Sequence, residues 1–170
     1  MKTGKIIAFS GAHGTGKTTA VYTTASQLKK SNTGDVGVIL ETARRCPWPI
    51  LSFNEETSRE AQMWIFAEQI RRELEMVKQY DIVVSDRTIV DCIAYSSAAG
   101  FHDIAYGQVA LAKSHVYLYD RVTFMHVADN DYCTNDGFRH QDLEIRYEVE
   151  RRILELYDEL GVKLERVFYG

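Results

Sequence analysis

Short apolar runs alternate along the chain with longer stretches in which apolar residues recur every three or four positions. Lys5-Ile6-Ile7-Ala8-Phe9-Ser10 has the β-branched, apolar character of a buried strand and runs into a glycine-rich turn. Residues 17–30 follow with helical periodicity, and Ser31-Asn32-Thr33-Gly34 stops them. A second strand is expected over 36–40. A long helix is expected over 55–80, with Asn54 as its cap and Ala61, Ile65, Ala67, Ile70, Leu74 and Val77 at helical spacing. A third strand falls at 81–86, and helical segments at 91–99 and 104–119. A fourth strand is read at 121–127, a polar irregular stretch at 128–141, a helix at 142–160 with Gly161 at its stop, and a fifth strand at 162–169. Strands that alternate with helices need crossover connections, so the pattern predicts an α/β fold with a parallel sheet between helical layers. In such sheets ligands sit beyond the carboxyl ends of the strands, which makes those ends the places to look for chemistry.

Composition adds bounds. The chain has 170 residues, enough for a single domain, with 45% hydrophobic and 26% charged residues and a net charge of −4. An acidic balance argues against a general nucleic-acid coat, and anionic ligands must then be held by a few placed cations. Cys46, Cys92 and Cys133 are far apart and lack metal-ligand spacing, which reads as free thiols in a reducing setting. No apolar run approaches the ~20 residues that cross a bilayer, and the start of the chain leads into a strand, so a cytoplasmic protein without a membrane partner is expected.

The most specific signal is Gly11-Ala12-His13-Gly14-Thr15-Gly16-Lys17-Thr18, which fits G-x-x-x-x-G-K-[ST] between an expected strand and an expected helix. Its backbone N–H groups and the helix N-terminus suit the phosphates of ATP. Lys17 suits the β/γ-phosphates, and the Thr18 hydroxyl suits Mg²⁺. Thr19 extends this nucleotide-binding set; His13 on its own reads as a loop residue. No Asn-Lys-x-Asp guanine motif occurs, no Asp-x-x-Gly follows the third strand, and that strand ends Ser85-Asp86-Arg87 rather than in the Asp-Glu pair typical of AAA+ ATPases.

Three further motifs follow in order. Glu41-Thr42-Ala43-Arg44 closes the second strand. Asp86-Arg87-Thr88, with Asp91 and Tyr95, closes the third. Asp136-Gly137-Phe138-Arg139, with Arg146 beyond, follows the fourth. As a set they resemble the kinases of nucleosides and nucleotides, and are most similar to the ribosylnicotinamide kinase domain and related phage and bacterial P-loop kinases; deoxynucleoside and thymidylate kinases share a looser version. The resemblance spans the chain and implies a five-stranded parallel sheet of order 2-3-1-4-5, a lid-like loop at about 128–145, and transfer of the γ-phosphoryl of Mg-ATP to a small nucleoside-like acceptor.

Glu41 is a candidate general base for an acceptor hydroxyl, against a solvated carboxylate at a helix start. Asp86 can hold Mg²⁺ through water or share the base role, against a simple helix cap. Arg87 is expected to face phosphates or acceptor, against a salt bridge. Arg139 and Arg146 fit lid arginines over the γ-phosphate, with a solvated helix face as the alternative for Arg146. Arg44 and Arg45 suit a phosphate on the acceptor. Trp64 and Gln69 suit a flat base, against core packing for Trp64 and exposure for Gln69. His102, His115, His126 and His140 show no ligand spacing. Two other functions stay open: a kinase of a modified base within DNA, and a triphosphate hydrolase or regulatory nucleotide-binding module.

Overall fold

A computed structural model describes residues 3–50, 57–127 and 139–166, with the backbone alone for 139–142 and 166. Five strands form one sheet in the order β2-β3-β1-β4-β5, and every neighbouring pair is parallel. They are β1 (Lys5–Ser10), β2 (Val36–Ile39), β3 (Ile82–Asp86), β4 (Tyr119–Phe124) and β5 (Leu164–Arg166). The helices are α1 (Lys17–Lys30), α2 (Arg59–Gln79), α3 (Ile89–Ala98), α4 (His102–Ala112) and α5 (Arg139–Glu159).

Strand alternation sorts the core onto two faces. Ile6, Ala8, Ile39, Val83, Val122 and Phe124 turn to one side, against α2, α3, α4 and α5. Phe9, Val36, Val84 and Met125 turn to the other, where Val21, Ala25 and Leu28 of α1 cover them. Among the described residues the layers are therefore unequal: one helix on one face, four on the other. Gly37 in β2 is set by close packing, since a Cβ there would lie 2.6 Å from both Met76 Cε and the Tyr80 ring of α2.

Several boundaries differ from the sequence pattern. α2 starts at Arg59, not 55, because Ser58 is its cap and its hydroxyl accepts from the Ala61 amide at 3.1 Å; Asn54 lies outside the described residues. Of its expected apolar stripe, Ala61, Ile65 and Val77 are buried and Ile70 partly so, while Ala67 and Leu74 are exposed. Leu74 is 47% exposed, while Gln62, Gln69 and Glu73 are buried beside Ala61, Ile65, Phe66 and Val77. The helix read at 104–119 ends at Ala112. The His115 amide turns back to the Ala112 carbonyl, a 3₁₀ turn spans Val116–Leu118, and β4 begins at Tyr119 rather than 121. Tyr119 is drawn inward because its hydroxyl finds partners there, as described below. α5 starts at Arg139, so 139–145 of the expected lid are helical, while 128–138 and Cys133 lie outside the described residues. Cys46 and Cys92 are free thiols. No described helix is long and apolar enough to cross a membrane.

Candidate active site

The chain leaves β1 through Gly11, whose φ of +146° and crowded surroundings exclude a side chain: a Cβ would meet the Met125 carbonyl oxygen at 2.5 Å. Gly14 and Gly16 also have positive φ, and Gly16 enters α1 in the left-handed conformation. The loop so formed is tied down from α3. Asp91, fully buried, accepts from the Ser10 hydroxyl, the Gly11 amide, and the Thr88 amide and hydroxyl, each at 2.9 Å. The Thr88–Asp91 pair is also the capping box of α3. One carboxylate thus joins the start of the phosphate loop to the end of β3.

Inside the loop, Thr15 donates to the Ala12 carbonyl, and Lys17 Nζ donates to the same carbonyl and to Thr15 Oγ1. Burial pushes the Lys17 ammonium down to about 7, and the nearby Arg87 charge adds to this, although Asp91, Asp86 and Glu41 pull the other way. Thr18 Oγ1 donates to Asp86 Oδ2 at 2.5 Å. A hydroxyl and a carboxylate side by side at the foot of the loop form an all-oxygen donor set, which fits Mg²⁺, an ion that takes few protein ligands and keeps its waters. Among the described residues no group of three or more His, Cys, Asp or Glu could hold a metal by itself.

The polar groups beyond the ends of β2 and β3 converge on Arg87. This residue has φ +82°, and it is fixed there by its amide on the Phe9 carbonyl at 2.9 Å and by the Ser85 hydroxyl on its own carbonyl at 2.8 Å. Its side chain donates through Nη1 to the Gly11 carbonyl at 3.0 Å, and Nε and Nη2 both lie 2.9 Å from Glu41 Oε1. The guanidinium stacks 5.1 Å over the Tyr95 ring. Arg44 Nε donates to the other Glu41 oxygen at 2.9 Å. The Arg87 charge holds the Glu41 carboxyl down at about 2, against the opposing effect of burial, with the Arg44 hydrogen bond adding to it. Tyr95 also accepts from the His13 amide at 3.0 Å and meets His13 Nδ1 at 2.9 Å, so it braces the loop and Arg87 together.

Gly11, Ala12, His13, Gly14, Thr15, Gly16, Lys17, Thr18, Glu41, Asp86, Arg87 and Arg44 are therefore gathered at one sheet edge. Arg87 makes the salt bridge that was the alternative to facing phosphates or acceptor, and it also donates to the loop carbonyl of Gly11. Arg146, on α5, is 1% exposed and not on a solvated face; its Nη2 donates to the Gly14 carbonyl at 3.3 Å. Thr19 is exposed and lines a cleft of about 410 Å³ with Phe9, Gly16, Ala20, Thr23, Thr24 and Met125. Trp64 is half-buried and packs against the main core, and Gln69 is 1% exposed, contrary to the solvent-facing alternative for it. The Arg139 side chain lies outside the described residues. Asp91 and Tyr95 carry more of the site than the motif alone indicates. The signal for Asp91 is its place three residues after Thr88, which is capping-box spacing; nothing in the sequence points Tyr95 at His13.

A family model described as an AAA domain matches residues 6–169. Among solved structures, the fold is similar to thymidylate kinase from Ehrlichia chaffeensis, with a TM-score of 0.62 at 18% identity over 97% of this chain and 87% of that one. It is also similar to deoxyadenosine kinase from M. mycoides. The structure with the products dCMP and dCDP gives a TM-score of 0.65 at 16% identity over 96% and 89% of the two chains. The structure with dATP gives 0.67 at 14% identity over 95% and 90%. None of the curated proteins matches the chain by sequence.

Proposed function

This chain belongs to the AAA-domain family just matched, though its third strand ends Ser85-Asp86-Arg87 without the Asp-Glu pair, and from that premise we propose that it is a kinase moving the γ-phosphoryl of Mg-ATP to a nucleoside- or nucleotide-like acceptor. The observation that carries this reading is the Glu41–Arg87 pair, held against the Gly11 carbonyl at the mouth of the phosphate loop. A kinase needs a second carboxylate fixed on the far side of the loop to meet the acceptor hydroxyl. A nucleotide-hydrolysing module can use one to position water, so the acceptor assays below decide between the two. The similar solved structures are kinases of thymidylate and deoxyadenosine, which supports an acceptor of that general size and shape.

In the proposed reaction the acceptor oxygen attacks the γ-phosphorus, the bond to the β–γ bridging oxygen breaks, ADP leaves, and the hydroxyl proton passes to Glu41. The loop N–H groups and Lys17 hold the triphosphate. Thr18 and Asp86 would hold Mg²⁺, which when bound would supply charge neutralisation to the phosphates. Arg87 keeps Glu41 ionised and at the acceptor edge. Arg146, already on the Gly14 carbonyl, supplies a cation toward the transferring group. The cleft along α1 past Thr19 has room for the nucleoside of the donor. The transition state of phosphoryl transfer is loose, so positioning and charge do most of the work.

Arg44 and Arg45, both largely exposed beside Glu41, favour an acceptor that carries a phosphate over a neutral one. The deciding experiment is a panel of labelled-ATP assays. It takes nucleosides including ribosylnicotinamide, nucleoside monophosphates, oligonucleotides with hydroxymethylated bases, and no acceptor. Label transferred to a nucleoside or nucleotide, and lost in Lys17→Ala, is expected. Phosphate release that no acceptor accelerates would overturn the kinase reading in favour of a hydrolase.

A further inference from the structure

The inner face of α2 carries three buried polar side chains where an apolar stripe would bury at lower cost. Two of them, Gln69 and Glu73, belong to a continuous hydrogen-bonded chain that the reaction scheme above does not use. Glu73 is fully buried. Its Oε2 meets His115 Nε2 at 2.6 Å and accepts from the Tyr119 hydroxyl at 2.9 Å, and its Oε1 accepts from Tyr119 at 3.1 Å and from Gln69 Nε2 at 2.8 Å. Gln69 Nε2 also reaches the Ser85 hydroxyl at 3.4 Å, and its Oε1 accepts from the Thr42 hydroxyl.

The polarity of this chain has one sense. The carboxylate accepts only, so the Gln69 amide must turn its NH₂ toward Glu73, which leaves its carbonyl for Thr42. Thr42 directly follows Glu41. Ser85 donates to the carbonyl of Arg87, the residue held at positive φ. From the same helix, Arg72 Nη1 donates to the Leu40 carbonyl at 2.8 Å and to Thr42 Oγ1 at 3.0 Å. Both neighbours of Glu41 are thereby tethered to α2, and the backbone of its partner Arg87 is tied into the same network. We infer that Gln69 and Glu73 are positioning residues for phosphoryl transfer: through Thr42 and Ser85 they set where Glu41 and Arg87 stand relative to the phosphate loop. Buried polar groups stabilise little compared with apolar ones of equal volume, and their use here is geometric. His115 and Tyr119, from the α4–β4 connection and the start of β4, anchor the far end.

The inference rests on the kinase reading, and its test separates the two. Three variants are compared: Thr42→Val, which removes the Gln69 link together with the Arg72 contact on the same oxygen; Gln69→Glu, which sets two carboxylates side by side; and Gln69→Glu with Glu73→Gln, which exchanges acid and amide and restores the bond between positions 69 and 73 and the one from Thr42, while giving up the long contact to Ser85. With the acceptor found in the panel above, Thr42→Val and Gln69→Glu should lower kcat by about tenfold or more, since small misplacements are costly. ATP affinity should stay at the wild-type value. The exchanged pair should recover kcat to within about threefold, a coupling that general damage to the core would not show. A wild-type kcat in folded Thr42→Val, or equal losses of kcat and ATP affinity in all three variants, would overturn the inference. A second readout needs no activity. The Arg87 Nε–H resonance, identified by its loss in Arg87→Lys, should shift or broaden in Thr42→Val and in Gln69→Glu, and the Gln69→Glu change should reverse in the exchanged pair. If it does not move, the inference fails even where the kinase reading stands; if no acceptor is phosphorylated, the kinase reading fails and this resonance still decides the positioning claim.

Discussion

Lys17 is the residue whose chemistry is most altered by its surroundings. With its ammonium lowered to about 7, a large part of the nucleotide-free protein carries a neutral Lys17 at pH 8. A triphosphate brings negative charge against it and restores the proton. Binding above pH 7 should therefore take up a proton, and affinity should weaken as pH rises from about 7 toward ~10. Calorimetry at pH 8 in buffers of different ionisation enthalpy measures this directly, and a binding heat independent of buffer would refute it. Glu41 is shifted in the opposite sense. Held at about 2, it stays ionised throughout the working range, so any acid limb in the rate profile above pH ~4 belongs to another group. Glu41→Gln should cut acceptor turnover by roughly 10²–10⁴-fold, nearer the lower figure because so weak a base contributes mainly by position. ATP affinity should be unchanged; loss of ATP–Mg²⁺ binding would mean that Glu41, not Asp86, serves the metal. Most of these residues are legible in the sequence because the phosphate loop and the strand ends are local patterns. The Arg87–Glu41 pairing is not, since it joins residues 46 apart and depends on a positive φ that no motif announces.

At the scale of elements, β1 and α1 match their sequence boundaries because a buried strand, a glycine-rich turn and a Ser31-Asn32-Thr33-Gly34 stop each leave a local signature. α2 does not. A periodicity count built on Ala61, Ile65, Ala67, Ile70, Leu74 and Val77 picks a stripe that the fold turns partly outward at Ala67 and Leu74, because Gln62, Gln69 and Glu73 gain the partners Ser96, Thr42 and His115 only once the chain has folded. The α4–β4 junction is missed for a related reason: Tyr119 suits a helix end as well as a strand start, and its buried hydroxyl, donating to Glu73 and accepting from the Ile89 amide, decides the matter. The packing of α2 on β2 yields a prediction of its own. At Gly37 an added methyl would press on the Tyr80 ring, which is less yielding than the Met76 tip. Gly37→Ala should destabilise the fold by about 1–3 kcal/mol, read from chemical denaturation, with the m-value unchanged. A neutral or stabilised variant would show that α2 can move away from the sheet freely.

Across the whole molecule, the described groups proposed to meet a nucleotide lie at one sheet edge, with α1 on one flank and α2, α3 and α5 on the other. A ligand bound there bridges elements that the chain connects only distantly, so it should stabilise them as a unit. At a hundredfold excess of ATP over Kd the gain is about 2.7 kcal/mol, or a rise in Tm of roughly 5–10 °C for a chain of this size. Lys17→Ala should lose most of that rise while keeping the Tm of the free protein close to wild type; an equal ATP shift in both would place the nucleotide elsewhere. The sheet order is visible in the sequence only through resemblance, because adjacency of strands is settled by packing rather than by any one segment. The sharing of Asp91 has a consequence in time as well as in space. The amides of Gly11 and Thr88, 77 residues apart in the chain, are both protected by its carboxylate. Neither can meet solvent deuterium until that carboxylate lets go, so the two should exchange from the same opening event, at the same free energy and with the same response to denaturant. The phosphate loop and the first turn of α3 would then have a single common lifetime.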